Sequence, residues 1–178
     1  MSLTERTGEA FEFDERLTVV GNKLEAGDPA PEFTLDRLDS DGAIRQARLA
    51  DTAGRVRLLN IVNSLDTPVC EAETRSWERL RHELPEEVVT LTVSMDLPFA
   101  QARWAMAEQV GHGILSAHKS AQFGKDYGVL LKEWRMLQRA VFVIDGDGQI
   151  VHSEYVADQM TEPDYDAAVA AARGAASE

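Results

Sequence analysis

The sequence predicts a three-layer α/β protein in which helices cover both faces of a mixed central sheet. Two apolar runs, 56–62 and 88–94, have the composition and length of buried strands, and each is followed by a segment with helical periodicity. A later pair of apolar strands flanks a turn signal, and an alanine-rich helix follows it. Because 178 residues suffice for one substantial core, we expect a single domain over 1–178.

A β-hairpin is predicted near the N-terminus, at about 9–21. There Phe11 and Phe13 alternate with polar residues, and a second alternating stretch follows them. A loop with two prolines then leads into the core, which we place at about 27–174, and the first core strand should begin at Phe33.

The first βα unit is defined by the strand 56–62 and the helix after it. Thr67 has the side chain of a helix N-cap, and Pro68 suits the first helical position, where no backbone donor is needed. Cys70 would then be the third residue of the helix. The apolar spacing continues the helix to about Leu84, and a proline follows.

A second βα unit is predicted from the strand 88–94 and a helix over 98–110. The apolar residues of that helix form one stripe, which consists of Phe99, Ala102, Ala105 and Met106. The stripe is the face that we expect to pack inward.

The C-terminal part of the sequence predicts a hairpin and a helix. Strands at 140–144 and 150–156 should pair antiparallel around the Asp-Gly-Asp-Gly sequence between them. Thr161 begins a capping-box pattern, and the helix should continue to Arg173. This order of elements is that of the thioredoxin fold.

Composition excludes several classes of partner. The net charge of −13 argues against binding to nucleic acid and to anionic membranes. The sequence contains no apolar run near the roughly 18 residues that a membrane helix needs. The first residues are acidic and polar, unlike a secretory signal, so we expect a cytoplasmic protein.

Cys70 is the one cysteine of the chain and the main candidate for chemistry. A free cysteine is most often a small buried hydrophobe, but a helix N-terminus after a central strand favours a reactive thiolate. The acidic residues Asp66, Glu71 and Glu73 lie nearby in sequence and would oppose that thiolate. A cation from elsewhere in the chain should therefore lie beside the sulfur.

The candidate cations are Arg75, Arg103 and Arg139, of which Arg139 directly precedes an apolar strand. The four histidines are scattered and one cysteine cannot supply a thiolate cluster, so we expect no metal and no cofactor. A cysteine protease would need a histidine beside Cys70, and the sequence leaves His118 and His152 open for that role.

Several segments together resemble the thiol peroxidase subfamily of atypical two-cysteine peroxiredoxins. They cover nearly the whole chain and occur in the family's order. The segments are GDPAPEFTL at 27–35, SLDTPVC at 64–70, SMDLPFAQ at 94–101, FGKDYGV at 123–129, RAVFVID at 139–145 and EPDY at 162–165.

The resemblance implies a thioredoxin-like fold of the peroxiredoxin type with an N-terminal β-hairpin. It also implies a mechanism in which the Cys70 thiolate attacks a hydroperoxide and becomes a sulfenic acid. Thr67 and Arg139 fall on the family's assisting positions, where they would bind the peroxide and stabilise negative charge. A homodimer is implied as well.

The chain departs from the family pattern at two positions. Asn63 stands where these proteins have a proline that shields the sulfur, and Ala105 stands where the resolving cysteine should be. The sulfenic acid would then need an external thiol for recycling. The alternative reading is a peroxide sensor or a redox-inactive binding module.

Overall fold

The computed structural model describes residues 2–178. Its strands are β1 (Glu5–Glu12), β2 (Glu15–Val20), β3 (Thr34–Leu38), β4 (Ile44–Arg48), β5 (Val56–Ile61), β6 (Val88–Ser94), β7 (Gly113–Ser116), β8 (Leu130–Leu131), β9 (Met136–Leu137), β10 (Ala140–Ile144) and β11 (Ile150–Tyr155). Its α-helices are α1 (Pro68–Leu80), α2 (Pro98–Glu108), α3 (Gln122–Asp126) and α4 (Tyr165–Ala176).

The main sheet has seven strands in the order β11-β10-β5-β6-β7-β3-β4. Strands β5, β6 and β7 are parallel, whereas β10 pairs antiparallel with both β5 and β11. Every residue of β5 is buried, as a central strand requires. The predicted mixed α/β sheet and the predicted C-terminal hairpin are therefore confirmed.

Alternate residues of β5 supply two cores on opposite faces of the sheet. Leu58 packs in a cluster with Trp77 of α1 and Ala168 of α4. Leu59 packs in the other cluster, which includes Phe123 of α3. The sheet is thus covered by helices on both faces, as the three-layer prediction requires.

The N-terminal hairpin is confirmed but begins at Glu5, earlier than the predicted residue 9. The register shifts between Thr7 and Ala10, and Gly8 between them has a positive φ of 73°. The bulge lies before Phe11, so the alternation on which the sequence prediction relied does not extend to the start of the strand. The hairpin forms a second sheet, in which Val19 pairs with Leu131 of β8.

The buried face of α2 is not the apolar stripe that the sequence predicted. Phe99 and Met106 are 61% and 84% exposed, whereas Gln101 and Trp104 are buried. The amide of Gln101 donates hydrogen bonds to Ser94 Oγ and to the Leu115 carbonyl, each over 2.9 Å. A buried amide whose nitrogen makes two hydrogen bonds therefore takes an inward position that periodicity assigns to apolar residues.

The other differences concern short elements and helix ends. The prediction missed β4, β7, α3, β8 and β9, because these segments are polar at a sheet edge or only two to five residues long. Helix α1 ends at Leu80 and continues as a 3₁₀ turn, Arg81–Glu83. The N-cap of α4 is Asp164 rather than Thr161, since the Asp164 side chain accepts from the Ala167 N–H.

None of the described helices is both long and apolar enough to cross a membrane.

We predict that Trp77→Ala lowers the free energy of unfolding by about 3–5 kcal/mol. Trp77 is fully buried and packs edge-on against Tyr165, with ring centroids 4.9 Å apart, so it anchors α1 to α4. Urea unfolding followed by circular dichroism measures the change. Met106→Ala, at an exposed helix position, should stay within about 0.5 kcal/mol of the parent. Equal losses in the two variants would contradict this assignment of the core.

Candidate active site

Cys70 lies in the first turn of α1, directly after the loop that follows β5. Thr67 is the N-cap and its Oγ1 accepts from the Cys70 N–H at 3.4 Å, while Pro68 is the first helical residue. The cap and the position of Cys70 in the helix are as predicted. The side chain of Cys70 is fully buried at the carboxyl end of the central strand.

Arg139 is the cation that the structure places beside the sulfur. Its Nη2 lies 3.3 Å from Cys70 Sγ. The sheet brings the two together: Ala140 pairs with Ile61, so the start of β10 lies against the end of β5. Of the three arginines that the sequence offered, Arg75 instead pairs with Glu71 and Glu108 on the surface.

The guanidinium of Arg139 is fixed on several sides. Its Nη1 pairs with Glu73, and its Nη2 donates to the Gln159 carbonyl at 2.7 Å. The backbone N–H of Arg139 donates to Gln159 Oε1 at 2.9 Å. Arg139 and Glu73 are both fully buried, so bulk water does not screen their interaction.

Two acids, Glu73 and Cys70, share this one guanidinium. Burial raises the pKa of Glu73 to about 8, against the opposing effect of Arg139. Burial by itself would lower the pKa of Arg139, but Glu73 and Cys70 raise it above its usual value. Because Glu73 also binds this guanidinium, its carboxyl group and the sulfur share the positive charge of Arg139.

Asn63 fills the space beside the sulfur on another side. Its Nδ2 donates to the Leu137 carbonyl at 2.7 Å and to Gln159 Oε1 at 3.0 Å. Its Oδ1 lies 3.9 Å from Cys70 Sγ and 3.5 Å from Arg139 Nη2. Both polar atoms of this amide thus have neighbours within the site.

A cleft of about 390 Å³ opens above these residues. Asn63 and Thr67 line it, together with Glu15 of the N-terminal hairpin and with Trp134 and Met136. The Thr67 hydroxyl donates to the Ser64 carbonyl at 3.1 Å. Asn63 and Thr67 therefore lie between solvent and the buried thiol, and the hairpin contributes to the entrance.

The contacts of Cys70 do not support a cysteine-protease site. His118 Nε2 lies 3.6 Å from Asp36 Oδ2, and His152 lies on β11, where it pairs with Val143 of β10. Within residues 2–178 the hydrogen-bond partners of the Cys70 sulfur are Arg139 and Asn63, not a histidine. That part of the chain also contains no group of three or more histidine, cysteine, aspartate or glutamate side chains placed to hold a metal ion.

Two site residues were not identified as such from the sequence. Glu73 was treated as an acid that opposes the thiolate, yet it binds the cation; its spacing of three residues from Cys70 places both on one helix face. Gln159 contacts both Arg139 and Asn63 but lies in an irregular segment after β11. No sequence periodicity marks a residue in such a segment.

Comparison with known proteins agrees with this geometry. Residues 25–169 match the Redoxin family model. A thiol peroxidase from Streptococcus sanguinis is 42% identical over 158 residues, which cover 88% of this chain and 94% of that protein. A thiol peroxidase from Staphylococcus aureus is 44% identical over 152 residues, 85% and 89% of the two chains. The crystal structure of a peroxiredoxin-like protein from Aquifex aeolicus superposes with a TM-score of 0.81 at 31% identity, covering 98% of this chain and 99% of that chain.

We predict that Glu73→Gln removes a pH-dependent part of the stability. Because the pKa of Glu73 is raised to about 8 on folding, the folded state holds this proton to higher pH than the unfolded state does. The free energy of unfolding should therefore fall by a few kcal/mol between about pH 5 and about pH 8, and the variant should lack this fall. Urea unfolding across this range measures it.

The control for this prediction is Glu71→Gln, which alters a partly exposed ion pair with Arg75. Its stability should follow the pH dependence of the parent protein. A Glu73→Gln variant with the same pH dependence as the parent would contradict the prediction.

Proposed function

Because this chain belongs to the redoxin family and is a peroxiredoxin-type peroxidase that reduces peroxide with thiols, we propose that Cys70 is its peroxidatic residue, with Arg139 and Thr67 as assisting residues. The observation that carries the assignment is the 3.3 Å contact between Cys70 Sγ and Arg139 Nη2 inside a buried site. This contact stabilises the thiolate, which is the nucleophilic form of the residue.

The first step is attack of the thiolate on one oxygen of the hydroperoxide. A sulfur–oxygen bond forms and the oxygen–oxygen bond breaks, and the departing oxygen takes up a proton and leaves as water or an alcohol. Negative charge moves from sulfur to that oxygen. The Arg139 guanidinium is already placed at the sulfur, so it stabilises this charge without reorganisation.

Thr67 has a positioning role at the entrance. Its hydroxyl lies in the wall of the cleft, and its Oγ1 accepts from the Cys70 N–H. The Thr67 side chain therefore fixes the first turn of α1, and a peroxide that enters the cleft passes this hydroxyl.

Recycling requires a thiol from outside the chain, because Cys70 is the one cysteine of the sequence. A first thiol condenses with the sulfenic acid, which releases water and leaves a mixed disulfide. A second external thiol then attacks the mixed disulfide. This regenerates the Cys70 thiol and releases the two external thiols joined by a disulfide bond. Ala105 packs against the cluster that contains Cys70 but carries only a methyl group, so it supplies no thiol.

The reductant is a low-molecular-weight thiol or a thioredoxin-like protein, and the compartment that supplies either is the cytoplasm.

We also propose that two copies of the chain form a homodimer. The exposed apolar residues Phe13, Leu97 and Phe99 support it, since such side chains are common at interfaces between subunits. We propose further that residues 1–178 act as one domain.

A peroxide sensor is the second candidate function. The absence of a second thiol favours it, because an oxidised Cys70 that no thiol reduces would persist as a signal. Rapid oxidation with turnover by dithiothreitol supports the enzyme. Rapid oxidation without turnover by any thiol supports the sensor, and oxidation no faster than that of a free thiol supports a binding module.

We predict that Cys70→Ser abolishes peroxidase activity. We also predict that Arg139→Met lowers the rate constant for Cys70 oxidation by a factor of about 10²–10³, which is the range for loss of one charge-stabilising donor. Stopped-flow fluorescence can follow the oxidation, because Trp104 packs in the same cluster as Cys70. Arg75→Met removes a surface guanidinium and should leave the rate unchanged. Residual turnover in Cys70→Ser would refute the assignment.

We also predict that α2 stays folded in both redox states. No cysteine in this helix forms a disulfide with Cys70, and its residues Ala102, Ala105 and Ala107 favour a stable helix. Hydrogen–deuterium exchange should show the same protection over Pro98–Glu108 before and after one equivalent of peroxide. Loss of that protection on oxidation would contradict the prediction.

A further inference from the structure

Asn63 presents one defined atom to the reactive sulfur. An asparagine amide can be turned over to exchange its oxygen and nitrogen, but here Nδ2 faces two acceptors, the Leu137 carbonyl and Gln159 Oε1, at 2.7 and 3.0 Å. In the reversed orientation the oxygen would face both acceptors, so both hydrogen bonds would be lost and oxygen would lie against oxygen at each. The amide is therefore fixed with Oδ1 toward Cys70.

That oxygen has unused capacity to accept a hydrogen bond. Its contact with Arg139 Nη2 is 3.5 Å, at the limit for a hydrogen bond, and its other neighbour is Cys70 Sγ at 3.9 Å. A carbonyl oxygen has two lone pairs, so a donor on the sulfur would meet an acceptor that is buried and otherwise weakly occupied.

The sulfur gains a suitable donor when it is oxidised. The thiolate has no proton to give and interacts with Arg139, but the sulfenic acid carries an O–H group. The distance of 3.9 Å between Sγ and Oδ1 is near the upper limit for a hydrogen bond that involves sulfur. An oxygen bonded to Sγ extends into this gap, which brings its hydroxyl toward the roughly 2.8 Å that O–H···O bonds prefer.

We propose that Asn63 Oδ1 accepts the hydrogen bond of the Cys70 sulfenic acid and so preserves this oxidised form until an external thiol arrives. The inference rests on the proposed function. It gives Asn63 a role in the second half of the cycle, in a chain that cannot trap the sulfenic acid as an internal disulfide.

The hydrogen bond also slows over-oxidation. A second peroxide oxidises the sulfenate by forming another sulfur–oxygen bond as its own oxygen–oxygen bond breaks, which yields a sulfinic acid and water or an alcohol. That reaction needs the sulfenic acid to lose its proton. An acceptor that binds the neutral S–OH group keeps the proton in place, so the sulfinic acid forms more slowly.

The test compares Asn63→Leu with the parent protein. Leucine is close to asparagine in shape but has no acceptor. We expect the sulfenic acid, trapped with dimedone and measured by mass spectrometry, to have a lifetime about three- to tenfold shorter, the range for one neutral hydrogen bond. The peroxide concentration that half-converts Cys70 to the sulfinic acid should fall by a similar factor.

Gln138→Leu is the matched control. Gln138 is also a buried amide, and its Nε2 donates to the Val156 carbonyl at 3.1 Å without contacting the sulfur. Its loss should perturb packing similarly while leaving the sulfenic acid lifetime at the parent value. Equal lifetimes in Asn63→Leu and the parent, or equal shortening in both variants, would overturn the proposal.

A measurement on the parent protein covers the case in which Asn63→Leu does not fold. A crystal oxidised with one equivalent of peroxide should show the sulfenic oxygen within hydrogen-bond distance of Asn63 Oδ1, and an oxygen directed away from Asn63 would overturn the proposal. The failure of the proposed function looks different: dimedone would then label no sulfenic acid on Cys70 in any variant.

Discussion

The buried guanidinium of Arg139 is the interaction on which the site depends. It contacts the thiol of Cys70 and the carboxyl group of Glu73, both on α1, and the Gln159 carbonyl in the irregular segment after β11. A cation without partners is costly to bury, so the surrounding structure has to supply them. Glu73 and Cys70 share the one positive charge of Arg139.

Asn63 shows how a site can accept a polar residue at a position where the family it resembles has proline. The amide joins the network around Arg139 through Gln159 and fixes the loop before α1 through the Leu137 carbonyl. A proline side chain makes no hydrogen bond, whereas the Nδ2 group of this amide makes two. The same change places an acceptor at the sulfur of a protein with a single thiol.

The elements that the sequence predicted well are those with a strong local signal. Strands β5, β6 and β10 are continuous apolar runs, and the start of α1 is marked by Thr67 and Pro68. The face of α2 was predicted wrongly because hydrogen bonds of Gln101, made to β6 and β7, outweigh apolar periodicity. Local patterns do not record which distant groups will satisfy a buried amide.

By itself, the sequence determined that one thiol begins a helix after a central strand, and that this thiol needs a cation. Both follow from composition and from capping rules that act over a few residues. Only the tertiary structure decided which arginine serves the sulfur, since the pairing of Ala140 with Ile61 brings Arg139 next to the end of β5. It likewise decided the orientation of the Asn63 amide, because the acceptors Leu137 and Gln159 that fix it lie 74 and 96 residues away in the chain.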